Sequence, residues 1–185
     1  MIKNLFVLLL PGFFSYSLCH AQEECGGESR WEIKVLVDKE SSVIQYSQPL
    51  KRTIHDLVSL SVTKTNEGTP RMDSEKKVYS VECHITEYRR EKDKDLHLVL
   101  MSDDETMIAE IPNPDCPDAL RSKHNSEFRE ARKTFEKYKR KGEYKKHLWR
   151  VTGVSFVDLQ HSRPQLGVAK NDIELHPVLK LEIVK

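Results

Sequence analysis

No apolar run long enough to span a bilayer occurs in the 185-residue chain: the longest stretch near the start, Leu5 to Leu10, stops at Pro11, well short of the ~20 residues a span needs. Glycine and proline are scarce, 7 and 8 residues, which excludes collagen-like and low-complexity chains. An excess of one charge is also missing, with 30 basic against 29 acidic residues. The 4 cysteines include no Cys-x-x-Cys pair, so no structural zinc motif is present. No catalytic signature with a low false-positive rate occurs either. What remains, 38% hydrophobic and 32% charged, is the composition of one ordinary soluble domain.

Residues 1–21 have the pattern of a secretory signal. Lys3 precedes the apolar run, and Cys19-His20-Ala21 ends on a small residue. The mature chain is then expected to begin near Gln22, to be exported to the periplasm or the exterior, and to carry no net charge, because loss of Lys3 leaves 29 basic and 29 acidic residues. A neutral chain does not point to a polyanion, so nucleic acid is not an expected partner. Of the three remaining cysteines, Cys83 and Cys116 lie in or beside the patterned core and Cys25 in a polar stretch. A Cys83 to Cys116 disulfide is therefore expected in an oxidising compartment.

Residues 22–75 read as an N-terminal extension. In it Trp31, Ile33, Val35 and Val37 alternate as a half-buried strand would, Pro49–Leu60 suggests a short helix, and 64–77 a loop. From residue 76 to 185 the pattern sharpens into five strands: 78–88, 95–101, 106–111, 149–158 and 173–183. Between the third and fourth, Phe128, Ala131, Phe135 and Tyr138 recur at helical spacing, with Ser126 as N-cap and Gly142 as stop. Three strands, a helix and two strands predict a mainly β fold, a five-stranded OB-like barrel. Strands two and three of such barrels, with nearby loops, commonly bind ligands.

The polar turn Ser102-Asp103-Asp104-Glu105 fixes the register of the hairpin between strands two and three. Leu98 then opposes Ala109 and Leu100 opposes Met107 on an apolar inner face, while Val99 opposes Ile108 and His97 opposes Glu110 on the outer one. Glu174 and His176 alternate with apolar neighbours on the fifth strand and share that outer face. His97, Glu110, Glu174 and His176 thus form a candidate ligand site, with nitrogen and oxygen donors suited to a divalent metal or to acid and base chemistry. The competing interpretation is a solvated set of cross-strand ion pairs, each contributing roughly 0.2 to 1 kcal/mol. His161, after the fourth strand, is a further candidate. The basic helix and its exit, Lys133 to Lys146 with Tyr138, Tyr144 and Trp149, have the composition of a nucleic-acid patch, but also that of a solvated helix face over core aromatics. Asp93 and Asp95 lack the further ligands that calcium requires.

The runs Asp93-Lys94-Asp95-Leu96-His97-Leu98-Val99-Leu100, Met107-Ile108-Ala109-Glu110-Ile111-Pro112, Val151-Thr152-Gly153-Val154-Ser155-Phe156-Val157-Asp158 with His161, and Ile173-Glu174-Leu175-His176-Pro177-Val178 resemble a group of uncharacterised secreted bacterial proteins. The resemblance covers roughly residues 76 to 184. It implies a bacterial exported protein and supplies no activity. The expectation is a non-enzymatic exported binding module with its ligand face on strands two, three and five. The alternative is a secreted metal-dependent hydrolase of nuclease type.

Overall fold

The computed structural model describes residues 25–26, 29–160 and 166–185. Residues 1–21, expected to be a signal, and His161 lie outside these residues. Five strands close on themselves: β2 (Val78–Arg90), β3 (Leu96–Ser102), β4 (Glu105–Ile111), β5 (Trp149–Val157) and β6 (Ile173–Ile183). The order β2-β3-β4-β6-β5 returns to β2 through a β2–β5 ladder. Helices α3 (Pro117–Arg121) and α4 (Asn125–Lys139) stand between β4 and β5, so the chain forms the OB-like barrel that its element order predicts.

Closure depends on the length of β2. Its first half, Val78 to Cys83, pairs with β5, and its second half, from His84 onward, pairs with β3. A bulge between Ile85 and Glu87 provides the local bend that lets one strand serve both sheets. A two-residue strand, β1 (Leu50–Lys51), pairs in parallel with Tyr79 and Ser80. The fourth and fifth barrel strands approach closely at Gly153, where an added Cβ would lie 2.9 Å from the Pro177 carbonyl oxygen.

The hairpin has the predicted register. His97 opposes Glu110, Leu98 opposes Ala109, Val99 opposes Ile108 and Leu100 opposes Met107. Asp103 and Asp104 both take positive φ, the conformation a two-residue hairpin turn requires. Leu96, Leu98, Leu100, Met107, Ala109, Ile111, Ile173 and Leu175 fill the barrel, joined by Ala131 and Phe135 of α4 and by Ile54, Leu57 and Val58 of α2 (Ile54–Val58). Thr53 and Asp56 cap α2 reciprocally. Helix α4 starts one residue before Ser126, whose hydroxyl binds Glu127 within the first turn, so Ser126 is not the N-cap. Lys141 and Gly142 leave the helix with positive φ.

A second cluster lies outside the barrel wall, where Trp31, Val35, Leu36 and Ile44 pack on Val78, Val154, Phe128, Cys116 and Ala119. Here two expectations are corrected. The segment from Trp31 is a short helix, α1 (Trp31–Lys34), not a strand. It is sandwiched, so Ile33, Lys34, Val35 and Leu36 are all buried and the alternation loses its meaning; Arg30 and Leu36 turn the chain at either end with positive φ. The disulfide joins Cys25 to Cys116, not Cys83 to Cys116. Cys83 belongs to the barrel interior and Cys116 to the outer cluster, so the wall separates them. Burial pushes the Cys83 thiol up to about 12, and thiolate is the reactive form. Iodoacetamide should therefore leave Cys83 unlabelled in the native chain and alkylate it after denaturation. Rapid labelling of Cys83 in the native chain, read by peptide mapping, would contradict this placement.

Candidate functional site

The outer face of β3, β4 and β6 carries the predicted cluster. Strand alternation turns His97, Glu110, Glu174 and His176 away from the barrel interior, and the parallel β4–β6 ladder, with Ile108 opposite Glu174, brings the fifth strand alongside the hairpin. All four residues meet. His97 Nδ1 lies 2.8 Å from Glu110 Oε1, while His176 Nδ1 lies 3.2 Å from Glu110 Oε2 and 3.1 Å from Glu174 Oε1. Glu110 is thus held between two imidazoles.

The face is not solvated as a bare ion-pair network would be: His97, Glu110, Glu174 and His176 are 3, 8, 4 and 0% exposed. The extension forms part of the cover. Lys34 of α1 is buried, with its ammonium 5.3 Å from the centre of the Phe156 ring and 4.0 Å from Asp158 Oδ1. Phe156 in turn packs 5.8 Å from the His176 ring. Gly167 sits against Val99, close enough that a Cβ would meet its methyl carbons at 2.9 Å.

Two acidic residues join the cluster that the outer-face pattern did not select. Glu91 lies 3.2 Å from His97 Nδ1 and also pairs with Arg89. Asp95, wholly buried, presents Oδ2 3.5 Å from His176 Nε2. Asp95 stands two residues before His97, and period two already puts both on one face; the signal was present at the first residue of the expected strand, one residue before β3 begins. Asp93 is otherwise employed, its Oδ1 accepting the Asp95 amide at 3.0 Å. Lys34 has no comparable signal, since only tertiary packing brings it there.

Burial raises buried carboxylates, and neighbouring charges decide the outcome. Burial works against the Glu110 carboxylate, yet the His97 hydrogen bond and the charges of His176 and Lys34 hold it down at about 2. Burial and the Glu110 charge push Glu174 up to about 7. Burial opposes protonation of His176, but Asp95, Glu174 and Glu110 outweigh it and raise the imidazole to about 10. Asp95 is raised by burial, and His97 is raised because Glu110 and Glu91 outweigh its burial. Three buried side-chain atoms here have no hydrogen-bond partner: Asp95 Oδ2, His97 Nε2 and His176 Nε2.

The basic helix is arranged differently. Lys133, Lys139 and Lys146 pair with Glu130, Glu136 and Glu143. Trp149 is buried with its indole N–H on the Tyr144 carbonyl, and Tyr138 meets its ring edge-on. These aromatic rings belong to the core and its margin.

No family model matches the chain, and no curated protein does. Among solved structures it is similar to a protein assigned as an aspartyl-tRNA synthetase from Leishmania major Friedlin, at 15% identity and a TM-score of 0.43, over 83% of this chain and 26% of that one. It is similar also to an asparaginyl-tRNA synthetase from Entamoeba histolytica, at 12% identity and a TM-score of 0.41, over 74% and 24%, and to an aspartyl-tRNA synthetase from the same organism, at 15% and 0.35, over 77% and 24%. The chain spans about a quarter of the length of these synthetases. No helix among the described residues is long and apolar enough to cross a membrane.

Proposed function

We propose that the protein is an exported binding module that holds a small ligand on the covered outer face of β3, β4 and β6, through His97, Glu110, Glu174 and His176 with Asp95. The observation that carries this reading is the set of buried polar atoms left without hydrogen bonds at one place. Each such atom costs roughly 1 to 3 kcal/mol if nothing pairs with it, a cost that a surface ion-pair network does not incur. A ligand lying against these atoms would remove it. The cover formed by Lys34 and Phe156 favours a small ligand over a polymer. Export is supported by the signal-type pattern of residues 1–21 and by the Cys25–Cys116 disulfide.

The test is native mass spectrometry on the untagged chain secreted with its own leader. The expected mass is that of a chain beginning near Gln22 plus a discrete small increment, absent from the Glu110→Gln variant. A bare mass in both proteins, together with no change in melting temperature on adding divalent cations, phosphate, amino acids or sugars, would end the proposal.

A further inference from the structure

We propose that Asp95, Glu110 and His176 are the protein ligands of one divalent transition-metal ion of the zinc type. The inference rests on the reading of this face as a binding site and names its ligand. One donor atom from each of the three residues lies within 4.8 Å of those of the other two, and all three residues are buried.

The hydrogen bonds around Asp95 and His176 leave the right atoms free. Asp95 Oδ1 accepts the Asn113 amide at 2.7 Å, which leaves Oδ2 unpaired. His176 Nδ1 faces oxygens of Glu174 and Glu110. Ionised carboxylates only accept, so Nδ1 keeps its proton, and Nε2 offers its lone pair to a metal that displaces the second proton of the imidazolium. A carboxylate behind the distal nitrogen is how metal-bound imidazoles are commonly oriented; Glu174 supplies it here.

The separation of the two free atoms decides between a hydrogen bond and a shared cation. At 3.5 Å, His176 Nε2 and Asp95 Oδ2 are too far apart for a charge-assisted hydrogen bond, which runs about 2.7 to 2.9 Å. With metal to ligand distances of about 2.0 to 2.2 Å and tetrahedral angles, two ligands of one zinc ion lie roughly 3.4 Å apart. The observed gap matches the second geometry. Glu110, whose Oε1 faces His97 Nδ1 at 2.8 Å and whose Oε2 faces His176 Nδ1 at 3.2 Å, must turn one oxygen to join the ion, and His97 is a positioning residue. A site with one imidazole and two carboxylates suits a borderline divalent ion better than a soft monovalent one. Three protein ligands leave a fourth position for water or an incoming donor.

The experiment uses the untagged mature chain stripped by a chelator, titrated with Co²⁺ and followed by visible absorption, with Zn²⁺ measured by competition against a chromophoric chelator. One equivalent is expected, giving the d–d bands of low-symmetry Co²⁺ that Zn²⁺ abolishes. Asp95→Asn, nearly isosteric, and His176→Ala should each weaken binding at least 100-fold. His97→Ala should weaken it about 10-fold, as the loss of an orienting partner does. His55→Ala, which breaks an exposed pair with Glu105, should leave it unchanged. No binding by the wild-type chain, or binding that survives both Asp95→Asn and His176→Ala, would overturn the metal site. If the native mass increment persists while neither ion binds here, the metal assignment fails and the binding module stands. If increment and metal are both absent, the two fail together.

Discussion

Replacing Glu75 with alanine should lower the unfolding free energy by about 3 to 5 kcal/mol, the cost of stranding one partner of a buried ion pair. Glu75 is 0% exposed. Its Oε2 pairs with the Arg30 guanidinium and accepts the Met72 amide at 2.8 Å, and its Oε1 accepts the Val157 amide at 2.9 Å. Arg30 in turn donates to the carbonyls of Val157 at 2.8 Å and Thr69 at 2.9 Å, and its guanidinium lies 4.7 Å from the centre of the Phe156 ring. One carboxylate therefore ties the extension to the end of β5, beside the residues that cover the polar cluster. Removing it leaves a guanidinium and the Val157 amide without their main partner in a dry place. The urea midpoint, followed by tryptophan fluorescence, measures the loss; a change below about 1 kcal/mol would show that the extension is not held this way.

Cys25→Ser should cost about 4 to 5 kcal/mol under oxidising conditions. The disulfide closes a sequence separation of 91 residues, and in the chain-entropy treatment a loop near 100 residues is stabilised by about 4.7 kcal/mol. Serine at position 25 removes the bond without disturbing the packing of Cys116, which is buried among Trp31, Phe128 and Ala119. Thermal melting of both proteins, with and without reductant, is the measurement. Wild type under reductant should melt where the variant does. A melting temperature of the oxidised wild type that reductant does not change would sink the prediction.

What the sequence disclosed follows from how local each cause is. The β3–β4 register was legible because a two-residue turn and a period-two pattern over adjacent residues determine it, and so the opposition of His97 and Glu110 could be deduced. Glu174 and His176 were legible by the same alternation. Less local facts were not. Whether that outer face is wet or dry depends on Lys34 and Phe156, which come from the two ends of the chain relative to the hairpin. The helix at Trp31 exists because Arg30 finds Glu75 and Val157, 45 and 127 residues away, and propensity carries no trace of such partners. The choice of Cys25 over Cys83 is a question of which side of the barrel wall each thiol occupies, and spacing along the chain does not encode sides.

The barrel is joined unevenly around its circumference. β2 and β5 share six residue pairs and β3 and β4 seven, whereas β4 and β6 are in register over only two, Ile108 with Glu174 and Ala109 with Leu175. That short ladder is the seam of the cylinder, and Glu110 on one lip and Glu174 and His176 on the other lie along it. Glu110 and Glu174 repel across this narrow join, the His176 imidazolium beside both offsets that repulsion, and a cation bound as proposed would grip both lips. Breathing of the barrel wall and occupancy of the site would then be one equilibrium, with the seam as the line along which the chain opens first.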